Sequence, residues 1–350
     1  MSEVTTSFSS LSSLGWQPYF QQQVLLDEWD MAFPARVIEQ HKSEIKLANV
    51  EGVITLPLTH ILPEMVVGDW VLLDRDHHFI RLLERKTCFS RKAAGSKVHK
   101  QLISANVDTA FIVCSMNADF NLNRIERFLS LVNESEAESV VILSKSDQAE
   151  SPEEFIQAVQ SIDPLLMVEA INCLDVESVK KLSPWIKQGS TIAVLGSSGV
   201  GKSTLTNTLL GSQEQSTSTI REDDSKGRHT TTSRSLVALS HGGLIIDTPG
   251  MREIQLADCK EGISTTFADI EALAEQCRFS DCQHQNEPGC AIQKAVQCDE
   301  LDARRLANYQ KLLKEEALNS ASLAERRAND KALGKFYKTT LAQATILKGR

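Results

Sequence analysis

A phosphate-binding pattern stands near the middle of this 350-residue chain. Residues 196–203 read Gly-Ser-Ser-Gly-Val-Gly-Lys-Ser and match G-x-x-x-x-G-K-[ST]. The apolar run Thr191–Leu195 precedes the match and a helix-compatible stretch, Thr204–Leu210, follows it, as a phosphate loop between a strand and a helix requires. The glycines let backbone N–H groups close around phosphate oxygens, and the helix N-terminus adds partial positive charge. The residues predicted to contact the nucleotide here are Gly196, Ser197, Ser198, Gly199, Val200, Gly201, Lys202, Ser203 and Thr204.

Two side chains of this pattern have specific chemistry. Lys202 is predicted to reach the β- and γ-phosphates, and Ser203 to ligate Mg²⁺. Downstream, an apolar run ends in Asp247-Thr-Pro-Gly250, where Asp247 can hold Mg²⁺ through water and the Gly250 N–H can contact a γ-phosphate. The same four residues alone also make a good turn, but their position downstream of a phosphate loop favours the catalytic interpretation.

Between these motifs lies a polar stretch, residues 211–233, that contains Gly227-Arg-His-Thr-Thr-Thr232. A loop of this length is usually functional, and one of its threonines could complete the Mg²⁺ coordination and order the loop around GTP. Thr231 is the candidate, although the sequence does not distinguish it from its two threonine neighbours. His229 is a candidate for hydrolysis, with a plain hydrogen-bonding role as the alternative.

A base-recognition motif precedes the phosphate loop. Ser144-Lys145-Ser-Asp147 ends an apolar run and resembles the Asn-Lys-x-Asp guanine motif, with serine in place of the usual asparagine. A carboxylate at Asp147 can accept hydrogen bonds from guanine N1–H and N2–H₂, a donor pair that adenine lacks. The Lys145 stem can cover the ring face. The nucleotide predicted from these residues is therefore GTP or GDP.

The order of the motifs departs from that of ordinary GTPases, in which the guanine motif comes last. Here it comes first, so the chain is predicted to be circularly permuted. The segment after Gly250 then leads directly into the C-terminal part of the chain, and nucleotide-dependent motion can act on that part.

A cysteine and histidine cluster follows. Cys277, Cys282, His284 and Cys290 are four soft or borderline ligands within 14 residues, a set typical of closed tetrahedral zinc. We predict one structural Zn²⁺, with buried unligated cysteines as the alternative. Cys298 is a spare cysteine.

The elements that must position these residues change along the chain. Short strand-like segments at Phe33–Gln40, Lys42–Asn49, Val53–Leu58, Met65–Asp74 and His78–Glu84 predict a small barrel such as an OB-fold. From about residue 107, strand-like and helical stretches alternate, which predicts a mainly parallel sheet covered by helices. Val176–Lys187 is predicted to be one of the helices.

Charge is distributed unevenly, although the whole chain carries a net charge of −9. Residues 33–105 carry a net +3 and residues 301–350 a net +6, which favours contact with a polyanion at both ends. The basic stretches 85–100 and 331–350 are the candidates for this contact, with a solvated linker as the alternative for the first. Residues 1–32 contain no Lys or Arg and no apolar run is long enough to span a membrane, so a reducing, cytoplasmic location is expected.

The predicted protein is multidomain: a flexible N-terminal tail at 1–32, an RNA-binding OB-fold β-barrel at 33–100, a circularly permuted α/β P-loop GTPase domain at 101–260, and a mainly helical zinc-binding domain at 261–350.

The phosphate loop, the Gly227–Thr232 stretch, Asp247–Gly250 and the cysteine cluster together resemble the RsgA GTPases, a bacterial family of circularly permuted GTPases. The resemblance runs from about residue 33 to the end of the chain. It implies the three-domain layout above, late action in assembly of the small ribosomal subunit, contact with its rRNA, hydrolysis stimulated by that subunit, and no membrane partner. We expect a monomer. Ser144 and the poorly matching Asn172-Cys173 depart from the usual GTPase pattern.

Three other functions remain open at this point. The chain could be a nucleotide-gated RNA-binding scaffold whose hydrolysis has no role, although Ser203, Asp247 and a switch threonine favour catalysis. It could be another permuted GTPase that acts on the large subunit or another RNA. An ATP-using P-loop enzyme is the third, and Asp147 opposes it.

Overall fold

The structure, a computed structural model, describes residues 8–92, 100–211, 234–240, 242–247, 259–285 and 287–320. These residues fall into two compact units. Those of the first lie within Met1–Ser90, Leu102–Ile254 and Glu261–Ala268, and those of the second within Arg91–Gln101, Gln255–Lys260 and Asp269–Arg350. None of the described helices has the length and apolarity needed to cross a bilayer.

Strands and helices follow one another in the order that the sequence pattern predicts for most of the chain. The strands are β1 Ala32–Gln40, β2 Glu44–Ala48, β3 Val53–Pro57, β4 Trp70–Asp74, β5 Phe79–Leu82, β6 Cys88–Lys92, β7 Lys100–Ala105, β8 Thr109–Ser115, β9 Glu138–Ser144, β10 Met167–Ala170, β11 Thr191–Leu195, β12 Arg234–Ala238 and β13 Leu244–Asp247. The helices are α1 Pro18–Gln21, α2 Leu26–Met31, α3 Leu122–Ser135, α4 Pro152–Gln160, α5 Val176–Val179, α6 Lys202–Leu210, α7 Lys260–Thr266, α8 Ala268–Ala274, α9 Ala291–Gln297 and α10 Ala303–Ser320.

A mainly parallel sheet forms the centre of the first unit. Its strands run in the order β10-β9-β8-β11-β13 with parallel pairing, and β12 pairs antiparallel to β13. Every residue of β8 is buried, as expected for a strand covered on both faces. The predicted strand–helix alternation is therefore confirmed for this part of the chain.

The first five strands pair antiparallel in the order β3-β2-β1-β4-β5 and enclose one apolar core. Val37, Leu47 and Val71 are fully buried in that core. A closed barrel would also need β3 to pair with β5, and no pairing between these two strands is found within the described part of the chain. β1 additionally pairs with β12 through Glu39↔Ser235, so the two strand groups form one continuous sheet. The sequence pattern did not indicate this connection.

The predicted flexible tail is wrong for residues 8–31, which form a short 3₁₀ turn and two helices. Leu14 and Phe20 are buried, and the Trp16 ring stacks edge-on against the buried Trp70 with centroids 4.8 Å apart. The apolar and aromatic residues of this segment offset the cost of ordering it, because they remove a large area from water. Residues 1–7 lie outside the described residues.

Arg36 links this N-terminal segment to the sheet. Its guanidinium is almost fully buried, stacks over the Trp70 ring and donates to three carbonyl oxygens: Leu14 O at 2.6 Å, Asn106 O at 3.0 Å and Gly68 O at 3.2 Å. Burial lowers the pKa of Arg36 to about 10, so the side chain is still charged at neutral pH. The contact is close enough to require glycine at position 15, because a Cβ there would lie 2.3 Å from Arg36 Nη1.

Two further elements differ from the sequence-based prediction. The predicted helix Val176–Lys187 is only one α-helical turn, α5, followed by a 3₁₀ turn at Lys180–Leu182. Pro184 contributes to the early end, because it has no N–H to donate to the Lys180 carbonyl four residues earlier, which accepts the 3₁₀-type bond from Ser183 N instead. The basic stretch 85–100 contains strand β6, which pairs with β7, whereas residues 93–99 lie outside the described residues.

Helix α7 packs on α3 within the first unit. Glu134 Oε2 accepts a hydrogen bond from Gly262 N at 2.9 Å, and Asn133 Nδ2 donates to Thr266 Oγ1 at 2.9 Å. Gly262 allows this approach, because a Cβ at that position would lie 2.0 Å from Ser130 O. In the second unit, Arg305 of α10 forms a two-bond ion pair with Asp269 at 2.7 and 2.8 Å.

Replacing the buried guanidinium tests how much the first unit depends on it. We expect Arg36→Met to lower the free energy of unfolding by about 3 kcal/mol, because the buried carbonyls of Leu14 and Asn106 lose this donor, whereas Gly68 O keeps the one from Asn106 Nδ2. Urea unfolding followed by tryptophan fluorescence measures this unit, since Trp16, Trp29, Trp70 and Trp185 all lie in it.

Arg75→Met is the matched control. Arg75 is exposed and makes one long hydrogen bond to Asp30 O at 3.3 Å, so its loss should cost less than about 0.5 kcal/mol. Equal unfolding midpoints for the two variants would contradict the role assigned to Arg36.

Candidate functional site

The sequence motifs converge at one edge of the central sheet. β9, β8, β11 and β13 run parallel, and Ser144, Gly196 and Asp247 stand at or directly after the carboxyl ends of three of them. In open α/β sheets ligands bind outside this edge. The structure therefore brings the predicted phosphate, magnesium and base motifs to one side of the sheet.

The phosphate loop has the backbone that its glycines allow. Gly196 and Gly201 have φ of 142° and 99°, and a Cβ on Gly196 would lie 2.4 Å from Val113 O. Helix α6 begins at Lys202, whose side chain is mostly buried and whose ammonium donates to Ser197 O. Ser203 is exposed in the first turn of the same helix. These features fit a loop that surrounds phosphate groups with N–H donors.

The guanine motif follows β9, and its residues have different surroundings. Ser144 is fully buried, Lys145 has left-handed backbone with φ 62°, and Asp147 is exposed in a short 3₁₀ turn at Ser146–Gln148. Asp147 is thus the residue of this group whose carboxylate is accessible to a base.

Cys173, which matches the usual GTPase pattern poorly, belongs to the same region. Burial, followed by the neighbouring Asp147 carboxylate, raises the pKa of the Cys173 thiol to about 11. The Cys173 carbonyl accepts a 2.6 Å hydrogen bond from Thr208 Oγ1 of α6. The loop after β10 therefore lies between the base motif and the helix that follows the phosphate loop.

Sequence reasoning also missed Arg124 in the first turn of α3. Its guanidinium donates to Ser197 Oγ of the phosphate loop at 3.2 Å and forms an ion pair with Asp119 at 2.5 Å. Hydrogen bonding from Arg124 lowers the pKa of the Asp119 carboxyl. Nothing in the one-dimensional pattern signals this pair, because the phosphate loop lies more than 70 residues further along the chain.

Several predicted site residues cannot be placed. Thr231, His229 and Gly250 lie outside the described residues, as does Met251, and the side chain of Asp247 is likewise not described.

The cysteine cluster is assembled in the second unit. The ligand atoms of Cys277, Cys282, His284 and Cys290 all lie within 4.8 Å of one another. Cys277 Sγ and Cys290 Sγ are 3.8 Å apart, and His284 Nδ1 is 3.6 Å from each of these sulfurs. The sulfur–sulfur distance greatly exceeds the roughly 2.05 Å of a disulfide bond.

These distances fit a tetrahedral zinc ion. With zinc–sulfur bonds of about 2.3 Å and zinc–nitrogen bonds of about 2.0 Å, the ligands of a tetrahedron stand roughly 3.8 Å apart for sulfur pairs and roughly 3.5 Å for sulfur–nitrogen pairs. The Gln293 N–H also points at Cys290 Sγ at 3.4 Å, a donor that suits a thiolate. Three sulfurs and one imidazole complete four-coordination, so the donor set suits a structural ion.

The parallel sheet, the phosphate loop after β11 and the guanine motif that precedes it define a P-loop GTPase whose motifs are circularly permuted. A family model described as RsgA GTPase matches residues 82–257. The chain belongs to the RsgA GTPase family, a family of GTP-hydrolysing enzymes.

Relatives match nearly the whole chain. The small ribosomal subunit biogenesis GTPase RsgA 2 of Vibrio parahaemolyticus is 58% identical over 97% of this chain and 94% of that protein. The small ribosomal subunit biogenesis GTPase RsgA of Xanthomonas campestris is 43% identical over 94% and 95%. Among solved structures, YjeQ from Thermotoga maritima has a TM-score of 0.60 and 24% identity, covering 81% of this chain and 98% of its own, and shares the fold. YloQ, described as a circularly permuted GTPase, has a TM-score of 0.59 at 23% identity, covering 83% and 96%.

The role predicted for Asp147 can be tested by exchanging the base. Xanthine carries an oxygen where guanine has its 2-amino group, and an asparagine amide donates where a carboxylate accepts. We expect Asp147→Asn to weaken GDP binding about a hundredfold and to strengthen xanthosine diphosphate binding, measured by competition with a fluorescent guanine nucleotide.

Glu150→Gln serves as the control, because Glu150 is an exposed carboxylate only three residues away. If Asp147→Asn kept the GDP affinity of the native chain and gained nothing for the xanthine nucleotide, Asp147 would not read the base.

Metal content tests the cysteine cluster. We expect one zinc per chain by atomic emission, and a fall to well below half in Cys282→Ser, because the loss of one of four ligands weakens a structural site strongly. Cys298→Ser should keep its zinc, since Cys298 is exposed and outside the cluster. Equal zinc contents in the two variants would count against the site.

Proposed function

We propose that this protein binds the small ribosomal subunit and acts late in its assembly, hydrolysing GTP to GDP and phosphate with stimulation by the subunit. The observation that carries the proposal is the 58% identity, over 97% of the chain, to a protein named for small ribosomal subunit biogenesis. The converging phosphate and guanine motifs support the nucleotide chemistry.

In this proposal the nucleotide is held by the phosphate loop and by Asp147. Lys202 neutralises the β- and γ-phosphates, since its ammonium already lies at the loop beside Ser197. Ser203, exposed in the first turn of α6, and Asp247, at the end of β13, would hold Mg²⁺, with Thr231 as a further ligand. The ion would neutralise charge on the β- and γ-phosphates. Gly250 contacts the γ-phosphate through its N–H.

The hydrolytic step is expected to be slow without a partner. Met251 follows Asp247–Gly250 where related P-loop enzymes place a glutamine that orients water, and a thioether cannot take that role. We propose that the ribosomal subunit supplies or positions the missing group. His229 is the candidate within the chain, and His229→Ala should then lower the stimulated turnover while leaving GTP binding intact.

The ribosome-facing surfaces are proposed from strand order and charge. The order β3-β2-β1-β4-β5 around one core supports an OB-fold at residues 33–100, a fold that binds oligonucleotides. The basic stretches 85–100 and 331–350 would contact rRNA phosphates, and the second lies outside the described residues. The division into a GTPase domain at 101–260 and a helical zinc domain at 261–350, the monomeric state and the cytoplasmic location stay predictions.

Steady-state turnover tests the proposal. GTP hydrolysis is measured for the full chain alone, with purified small subunits and with purified large subunits. We expect small subunits to raise turnover more than about tenfold, since a group supplied in trans accelerates P-loop GTPases by larger factors. Large subunits should have no comparable effect.

Lys202→Ala is the negative control, because it removes the phosphate-binding ammonium. Stimulation by large subunits alone would identify the large subunit, instead of the small subunit, as the partner. Tight GTP binding without stimulation by either subunit would favour the second candidate, a nucleotide-gated RNA-binding scaffold.

A further inference from the structure

The phosphate loop before Lys202, residues 196–201, lies outside any helix or strand, between the end of β11 and the start of α6. Gly199 and Gly201 adopt left-handed backbone with φ of 77° and 99°, and Gly199 is exposed. Its shape therefore depends on contacts from neighbouring segments. Two such contacts come from the part of the chain that precedes the loop in this permuted order.

The first contact comes from Ser144 at the end of β9. Ser144 Oγ donates to Val200 O of the phosphate loop at 2.6 Å, and it also lies 3.3 Å from Cys114 O at the end of β8. The side chain is fully buried. A short hydrogen bond in a water-free position fixes the fifth residue of the loop against the sheet.

This geometry limits what Ser144 can do for the base. A hydroxyl carries one proton, and here that proton is directed at a backbone carbonyl. Because the side chain has no exposed surface, a bound base cannot reach it without displacing protein atoms. Ser144 stands at the first position of the guanine motif, but its hydroxyl proton is used in the hydrogen bond to the phosphate loop.

The second contact comes from Arg124 at the start of α3. Arg124 Nη1 donates to Ser197 Oγ, the second residue of the loop, at 3.2 Å. Asp119 holds the same guanidinium through its carboxylate at 2.5 and 3.2 Å. The ion pair fixes the direction of the guanidinium, so Arg124 contacts the loop from a defined position.

We propose that Ser144 and Arg124 act as a two-point clamp on the phosphate loop: they are positioning residues that hold Val200 and Ser197, and neither reads the base. The clamp keeps the loop close to its nucleotide-binding shape before the nucleotide arrives. Without it, part of the binding free energy would be used to order the loop. The inference rests on the proposed nucleotide site: it adds Arg124 to that site and gives Ser144 a positioning role.

Ser144→Ala tests the stronger contact. Its loss leaves a buried carbonyl without its donor, so we expect GDP affinity to fall about tenfold by calorimetry. Ser115→Ala is the matched control, because Ser115 is a buried serine at the end of β8, directly opposite Ser144 in the strand register. Its hydroxyl contacts Asn117 instead of the loop, and GDP affinity should stay within about twofold of native.

Base analogues separate positioning from base reading. On the edge of guanine that carries O6 and N7, a hydroxyl donor would contact one of these two acceptors; 7-deaza-GDP lacks N7 and ADP lacks O6. We expect Ser144→Ala to weaken GDP, 7-deaza-GDP and ADP by the same factor, so the ratios between these ligands match those of the native chain. A contact from Ser144 to the base would change at least one ratio.

Arg124 is tested by a double-mutant cycle with its acceptor. Ser197→Ala removes the acceptor and leaves the ion pair between Arg124 and Asp119 intact, whereas Arg124→Gln removes the donor. Because this contact is partly exposed, we expect each variant to weaken GDP binding about threefold, and the double variant also about threefold. Ser197→Ala also provides a test if Ser144→Ala fails to fold, since Ser197 is only half-buried.

The results that overturn the clamp are specific. Equal GDP affinities in Ser144→Ala and Ser115→Ala would show that Ser144 does not hold the phosphate loop. An altered affinity ratio among the base analogues would show that Ser144 contacts the base. If the losses of GDP affinity in Arg124→Gln and Ser197→Ala multiplied in the double variant, Arg124 would not act through its contact with Ser197. Failure of the native chain to bind GDP would refute the nucleotide site itself, and the subunit turnover assay is independent of all these outcomes.

Discussion

The first unit depends on a buried positive charge that donates hydrogen bonds to three backbone carbonyl groups. Arg36 joins the N-terminal segment, the turn before β4 and the residue after β7 through one guanidinium. A charge in that position is costly unless every donor is satisfied, and the planar fork of arginine supplies the required directions. Because the same residue belongs to β1, which also pairs with β12, the two groups of strands are held together. The nucleotide motifs are presented at the edge of this joined sheet.

The permuted order changes which parts of the chain support the nucleotide loop. The segments that contact it through side chains, β9 and the start of α3, are synthesised before it. Helix α7, which comes after β13 in the chain, belongs to the same unit, because it packs on α3 through Gly262 and Glu134. The first turn of helix α3 therefore contacts the phosphate loop, and the last turn of α3 contacts α7. One helix thus contacts both the phosphate loop and helix α7, which lies after the last nucleotide motif.

The sequence predicted the elements whose pattern is local. The phosphate loop, the parallel strands and the cysteine cluster each depend on spacing within a few residues, and the structure places them accordingly. It did not predict Arg36, Arg124 or the role of Ser144, because their partners are separated from them along the chain and each residue type is common on surfaces. The N-terminal segment was misjudged for a related reason. Its Ser, Gln and Thr content suggested a tail, whereas a few apolar residues such as Leu14 and Phe20 determine its packing.

The pairing of β1 with β12 has a consequence for the order of folding during translation. Glu39 leaves the ribosome long before its partner Ser235, so the edge of β1 that β12 covers stays open while most of the chain is made. Long-range pairing of this kind raises the contact order and slows the final step of folding, in which β1 and β12 pair. The early strands can assemble around their own core, but the continuous sheet closes only after β12 and β13 have emerged. Chains truncated before residue 234 would therefore expose a strand edge that invites association with other chains.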